Sequence, residues 1–269
     1  MARPSPRKEQ DVRLLETGNI IFFYRPRKGV LHPRSPDDLE RAYFALFPDD
    51  QAHHQNRLFI VAHAVFPAII PGAALPSERD WAFIADISRE PREVIEALEK
   101  DVPAPSPPSG ERVRPWARVA GEGRYALARH EDHTHLVYWL HQPEQPGEVQ
   151  QALQIHPEAS YIIAVKQPFA PSEIQLKEKP SYPEELVRMF DGHGWIPVDP
   201  PSFLDYRWTQ VLLIGAEPTV ETELGIHLDP TVENAAAKKA LDELRAEAHE
   251  AHSRWHVELF EPTCAGRWE

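Results

Sequence analysis

The chain has 269 residues, 42% apolar and 26% charged, enough to bury a sizeable core and unlike a fibrous or low-complexity protein. Its formal charge is −13, although residues 1–34 carry eight Lys/Arg against three Asp/Glu. An acidic body works against nucleic acid as a partner, because such binding relies on neutralising phosphates.

The longest apolar runs, Ile20–Tyr24, Leu58–Phe66 and Val211–Ile214, fall far short of the roughly 18 residues of a membrane span. The only cysteine, Cys264, cannot form an internal disulfide or a cysteine metal cluster, so a cytoplasmic setting is the default expectation. Residues 1–15 read as a disordered arm. Their basic side chains Arg3, Arg7, Lys8 and Arg13 are expected to be solvated.

Along the chain, Asn19–Arg25 predicts a strand. Pro36–Phe47 predicts a helix with Leu39, Ala42, Tyr43 and Phe47 on one face. Arg57–Phe66 and Trp81–Ile87 read as strands, Pro91–Lys100 as a helix, Asp101–Pro115 as a proline-rich linker and Arg124–Arg129 as a strand. A second half repeats that order. It has strands at Thr134–Leu140, Ser160–Lys166 and Thr209–Ile214, a helix at Pro146–Ile155, a short helix from Thr219 and a last strand at Trp255–Phe260. The pairs Phe22–Pro26 with Trp139–Pro143, and Ala62–Pro67 with Ala164–Pro168, hint at duplication.

The expected fold is therefore α+β, a tandem ferredoxin-like pseudo-duplicate with β-α-β-β-α-β twice. The first half is expected at residues 16–130, the second at 131–262 and a tail at 263–269. Residues 232–253 predict an extra amphipathic helix, because Ala237, Leu241, Leu244, Ala248, Ala251 and Trp255 recur at spacings of three and four. That seam is expected to pack on the protein's own body, and a homodimer contact is the alternative.

The densest chemistry lies at His130-Glu131-Asp132-His133-Thr134-His135. A two-residue hairpin connection at Glu131-Asp132 would set His130 opposite His133 and Ala128 opposite His135. Alternation then puts His130, His133 and His135 on one face with Val137 and Trp139, Arg124 standing beside Trp139. Leu127, Tyr125, Leu136, Tyr138 and Leu140 take the other face as core. Three imidazoles so placed could hold a zinc or iron ion with a fourth position open, and Glu131, Asp132 or Asp205 could support it. They could equally hold a ligand through hydrogen bonds.

Other histidines read more plainly. His53 and His54 are expected to be solvated, His63 to be a satisfied core histidine and His193 to lie in a glycine turn. The loop Asp199–Tyr206 reads as a lid, a groove wall or a cover over the core. No Gly-x-Ser-x-Gly, phosphate loop or dinucleotide fingerprint is present, Gly121-Glu122-Gly123 lacking both a third glycine and a following helix.

Glu16–Arg27, Arg129–Val149, Ser160–Pro168 and Trp195–Ala216 resemble a family of uncharacterised proteins, the likeness covering most of residues 12–227. Some members carry a BTB-type transcription-regulator label, but this sequence has no BTB pattern. The family implies no catalytic residues.

The leading expectation is a non-catalytic protein that binds a small molecule or peptide through His130, His133, His135, Trp139 and Arg124. Its partners would be a small molecule or protein, not nucleic acid or membrane. The alternatives are a mononuclear zinc or iron enzyme built on His130, His133 and His135, and a homodimeric scaffold formed through 232–253.

Overall fold

The computed structural model describes residues 12–69, 79–98, 115–130, 132–171, 176, 178–217 and 268. Nine strands form one antiparallel sheet: β1 Val12–Pro26, β2 Leu39–Pro48, β3 Asn56–Val61, β4 Arg79–Ser88, β5 Arg118–His130, β6 His133–Gln142, β7 Glu158–Lys166, β8 Trp195–Pro197 and β9 Gln210–Glu217. Their order is β6-β5-β1-β2-β3-β4-β9-β7-β8, and a further β6–β7 ladder closes the ring. The molecule is thus an eight-stranded closed antiparallel barrel, with the short β8 continuing the row of β6 along β7.

This overturns the tandem ferredoxin-like expectation. The decisive segment is Leu39–Pro48, expected as a helix and found as strand β2. It is buried on both faces, so LERAYFALFP shows no polar alternation to betray a strand. Phe44 and Leu46 point into the barrel, while Tyr43, Ala45 and Phe47 join an outer cluster with Ile21, Phe23 and Leu58. Helix α1 (Pro91–Ala97) covers that cluster with Val94 and Ile95, with Leu98 just beyond its end. The strands of the supposed halves do not form separate sheets, since β1 pairs with both β2 and β5, and β4 with β9. The helix from Thr219, the helix at 232–253 and the strand at 255–260 lie outside the described residues.

An eight-stranded barrel has an interior just wide enough to be filled by side chains or to hold one small ligand, and here it is filled. Here Ile20, Phe22, Phe44, Phe59, Ile84, Leu127, Tyr138, Tyr161 and Val211 are among those that fill it. Phe44 stacks on Phe59 with centroids 4.3 Å apart, and Phe22 meets Phe66 edge-on at 5.2 Å. Gly123, one of the two glycines read against a phosphate loop, lies in β5 where the β5–β6 register shifts. A Cβ there would stand 1.9 Å from the Trp139 carbonyl oxygen, so only glycine admits this close strand contact.

Both mouths are plugged. Helix α2 (Glu148–Leu153) inserts Val149 and Leu153 at one, where Gln150 donates to the Ala120 carbonyl at 2.6 Å. At the other, the turn Pro201–Asp205 inserts Phe203 and Leu204, so the loop expected as a lid or cover is a plug. Fully buried Arg57 organises this mouth. It donates to both Glu16 oxygens at 2.6 and 3.0 Å and to Asp205 Oδ1 at 2.9 and 2.8 Å. Tyr125 donates to Glu16 at 2.7 Å, and His54 lies 3.1 Å from Asp205 Oδ2.

Burial works against the charge on Arg57, but Glu16 and Asp205 outweigh it and raise its pKa. Burial likewise pushes Asp205 up, yet the His54 hydrogen bond and the Arg57 charge hold it below its usual value. The hydrogen bond to Asp205 raises His54, which is therefore part of the cluster and not a solvated loop residue.

Removing one partner from such a cluster strands a buried charge. Arg57→Met should lower unfolding stability by about 3–5 kcal/mol in urea titration. Glu16→Gln added to Arg57→Met should cost less than the two changes summed. An unchanged midpoint for the single variant would show that the cluster does not hold this mouth closed.

Candidate functional site

Two outward faces of the barrel collect chemistry. The first is the histidine face on β5 and β6. The register sets His130 opposite His133, Ala128 opposite His135, Ala126 opposite Val137 and Arg124 opposite Trp139, the pairing that a two-residue connection requires. The His130 and His135 rings are 5.9 Å apart and those of His133 and His135 6.5 Å. His135 is buried, with Nδ1 2.9 Å from Ser160 Oγ on β7. His130 Nε2 is buried without a hydrogen-bond partner among the described residues, and His133 Nδ1 lies 2.6 Å from Asp132.

The rings gather but do not converge. Among the described residues, no three or more His, Cys, Asp or Glu side chains are placed to hold a metal ion. Trp139 packs against the outer cluster of Ala126, Ala128 and Val137. Arg124 is engaged elsewhere, donating to Asp49 at 2.9 and 2.5 Å and to Asn19 at 2.7 Å. Asp205 is tied to Arg57 at the plugged mouth, and Glu131 lies outside the described residues. His63, expected in the core, stands largely exposed beside Asp80 at 2.9 Å.

The second face is a groove of about 640 Å³ on the outside of β2, β3 and β4. Its apolar wall comes from Ile60, Trp81, Phe83 and Trp208, side chains that alternation turns away from the interior. The Trp208 ring lies 6.2 Å from that of Phe83, the two planes 21° apart. Trp208 adopts φ 70°, a left-handed conformation costly for a bulky side chain, and its N–H donates to the Ile84 carbonyl at 2.7 Å. Arg207 carries its guanidinium 5.4 Å from the Trp208 ring and 3.6 Å from Asp86.

Two further guanidinium groups reach this groove with no carboxylate on them among the described residues. Arg25 donates to the carbonyls of Leu98 and Pro115 and to Tyr43 Oη. Arg41 is half-buried, and no hydrogen bond or ion pair holds it among the described residues. Sequence reading missed this face. Trp81 and Phe83 belong to an expected strand with no face assigned, and Arg41 lies in the segment expected as a helix. The available signal was a strand, Trp81–Ile87, carrying large apolar residues on both of its faces.

No family model matches the chain, and no curated protein and no solved structure is similar to it.

The histidine face carries its own titration. Burial first, then the charges of His130 and His133, push His135 down to about 4 from an ordinary 6.5. Between those values the unfolded chain takes up a proton that the folded chain refuses. Stability is thus intact above about pH 6.5 and falls as pH drops toward 4, by about 3 kcal/mol in all. His135→Gln should flatten the urea-midpoint profile across this window. Equal slopes in both proteins would remove His135 as the cause.

Proposed function

We propose that this protein is a non-catalytic binding protein whose outer groove receives a small molecule or peptide carrying an anionic group. The observation that carries this reading is Arg41. A half-buried cation without a partner among the described residues lies along an aromatic wall in a groove of about 640 Å³. Ordinary folding pairs such a group or leaves it fully solvated, because a partly desolvated guanidinium loses hydration without return. A carboxylate, sulfonate or phosphate on a ligand would supply the missing acceptors, in bidentate form if planar.

The groove volume lies in the range of small-ligand sites, and its lining combines aromatic rings with few charged groups, as such sites do. Backbone strain at Trp208 supports the same reading, since strain persists where surrounding structure holds a residue in a working position. The histidine face supports it less well. His135 is satisfied by Ser160, and Arg124 is spent on Asp49.

Anilinonaphthalene sulfonate joins an aromatic body to one anion and is a direct probe. Its fluorescence should rise saturably at one site per chain. Arg41→Ala and Trp208→Ala should each weaken it about tenfold, with unchanged far-ultraviolet circular dichroism. Absence of saturable binding to the native protein, or equal binding by both variants, would overturn the proposal.

A further inference from the structure

A second cleft of about 260 Å³ adjoins the groove and shares Leu176, Trp208 and Gln210 with it. The two form one trough across the barrel wall. Among the described residues its cations are Arg25, Arg41, Arg207, Lys166 and Lys179, against the carboxylates Asp86 and Glu178. The chain as a whole has a charge of −13, whereas the described side chains lining the trough carry more cations than carboxylates.

The cations also have an order. Arg41 marks the β2 end. At the β7 end Lys166 is held by the carbonyls of Gln167 and Ala170, at 3.4 and 2.6 Å, and Lys179 stands 4.6 Å over the Phe169 ring. Between them lie the apolar Ile60, Trp81, Phe83 and Trp208. From β2 to β7 the wall runs β2-β3-β4-β9-β7, half of the closed ring, so the trough bends around the outside of the barrel. Four backbone steps of about 4.8 Å set a lower bound, and an extended peptide rising about 3.3 Å per residue needs at least about six residues to follow it.

We infer that the trough binds an extended peptide segment with acidic residues at both ends and apolar residues between them. This rests on the binding reading above and names its ligand class. A compact anion satisfies Arg41 alone and leaves the distant lysine end unused, whereas an extended segment of at least about six residues meets both. The ring of strands is closed on itself, so recognition here uses side chains and charge in place of strand addition. Asp86 and Glu178 inside the trough repel a continuous run of phosphates, but leave room for separated carboxylates.

Fluorescence anisotropy on the full chain tests this with the labelled heptapeptides EELFLEE and KKLFLKK. EELFLEE should bind saturably, and KKLFLKK at least about tenfold more weakly. Lys179→Glu should weaken EELFLEE by at least about tenfold while leaving anilinonaphthalene sulfonate binding within about twofold, because that dye needs only the Arg41 and Trp208 end. Arg41→Glu should weaken both probes.

If the dye binds and neither peptide does, the peptide inference falls and the small-molecule reading stands. If neither dye nor peptide binds, both fall. Tighter binding of an oligothymidine than of EELFLEE would also overturn the peptide assignment.

Discussion

Arg57 holds together segments that the sequence keeps far apart. Its guanidinium joins Glu16 on β1 to Asp205 in the plug, and Tyr125 on β5 completes the cluster through Glu16. A buried cation of this kind is costly unless its donors and the facing lone pairs are met. Here the acceptors are two carboxylates, themselves tied to Tyr125, His54 and the Gln55 N–H. Fixing Asp205 fixes the chain that follows it. Three residues later Trp208 turns into the left-handed region and donates to the Ile84 carbonyl, laying its ring beside Phe83. The groove on the outside of the barrel thus depends on an ion cluster inside it.

What the sequence made legible follows from where alternation survives. The β5–β6 hairpin could be read to its register because Glu131-Asp132 leaves a two-residue connection between two strand-forming runs, which sets His130 opposite His133. Helices α1 and α2 also stand near their expected positions. Alternation fails on β2, where the inner face fills the barrel and the outer face lies under α1. Leu39, Ala42, Tyr43 and Phe47 then mimic a helical stripe. One such error is enough to turn a meander of β1, β2 and β3 into a β-α-β unit, and with it a barrel into a duplicated ferredoxin-like pair. The long-range ladders β1–β5, β4–β9 and β6–β7 leave no mark in a single sequence, because any apolar strand edge is a plausible neighbour for any other.

The same limit hid the groove. An aromatic on a strand reads as core, and only the three-dimensional wall tells which face looks outward. The histidines attracted attention because ionisable residues in a short run are conspicuous. In space two of the three are partnered, and His130 Nε2 is buried with no partner among the described residues. His135 has Ser160, and His133 has Asp132. Arg41 is inconspicuous in sequence and stands without a partner among the described residues. Unmet valence is a better guide to a binding surface than chemical density, since a group already paired has less to offer a ligand.

Closure of the barrel has a kinetic side. The bond between Arg57 and Asp205 spans 148 residues, and β4 must await β9 before its second edge is paired. Until β9 is available, a growing chain presents β4 and β7 as open edges with their backbone groups unpaired. Contacts of such long sequence separation are slow to form, because the loop entropy is lost before the contacts return it. The wall assembles late and as a whole, so during synthesis the chain is most exposed to intermolecular strand pairing just before β9 arrives.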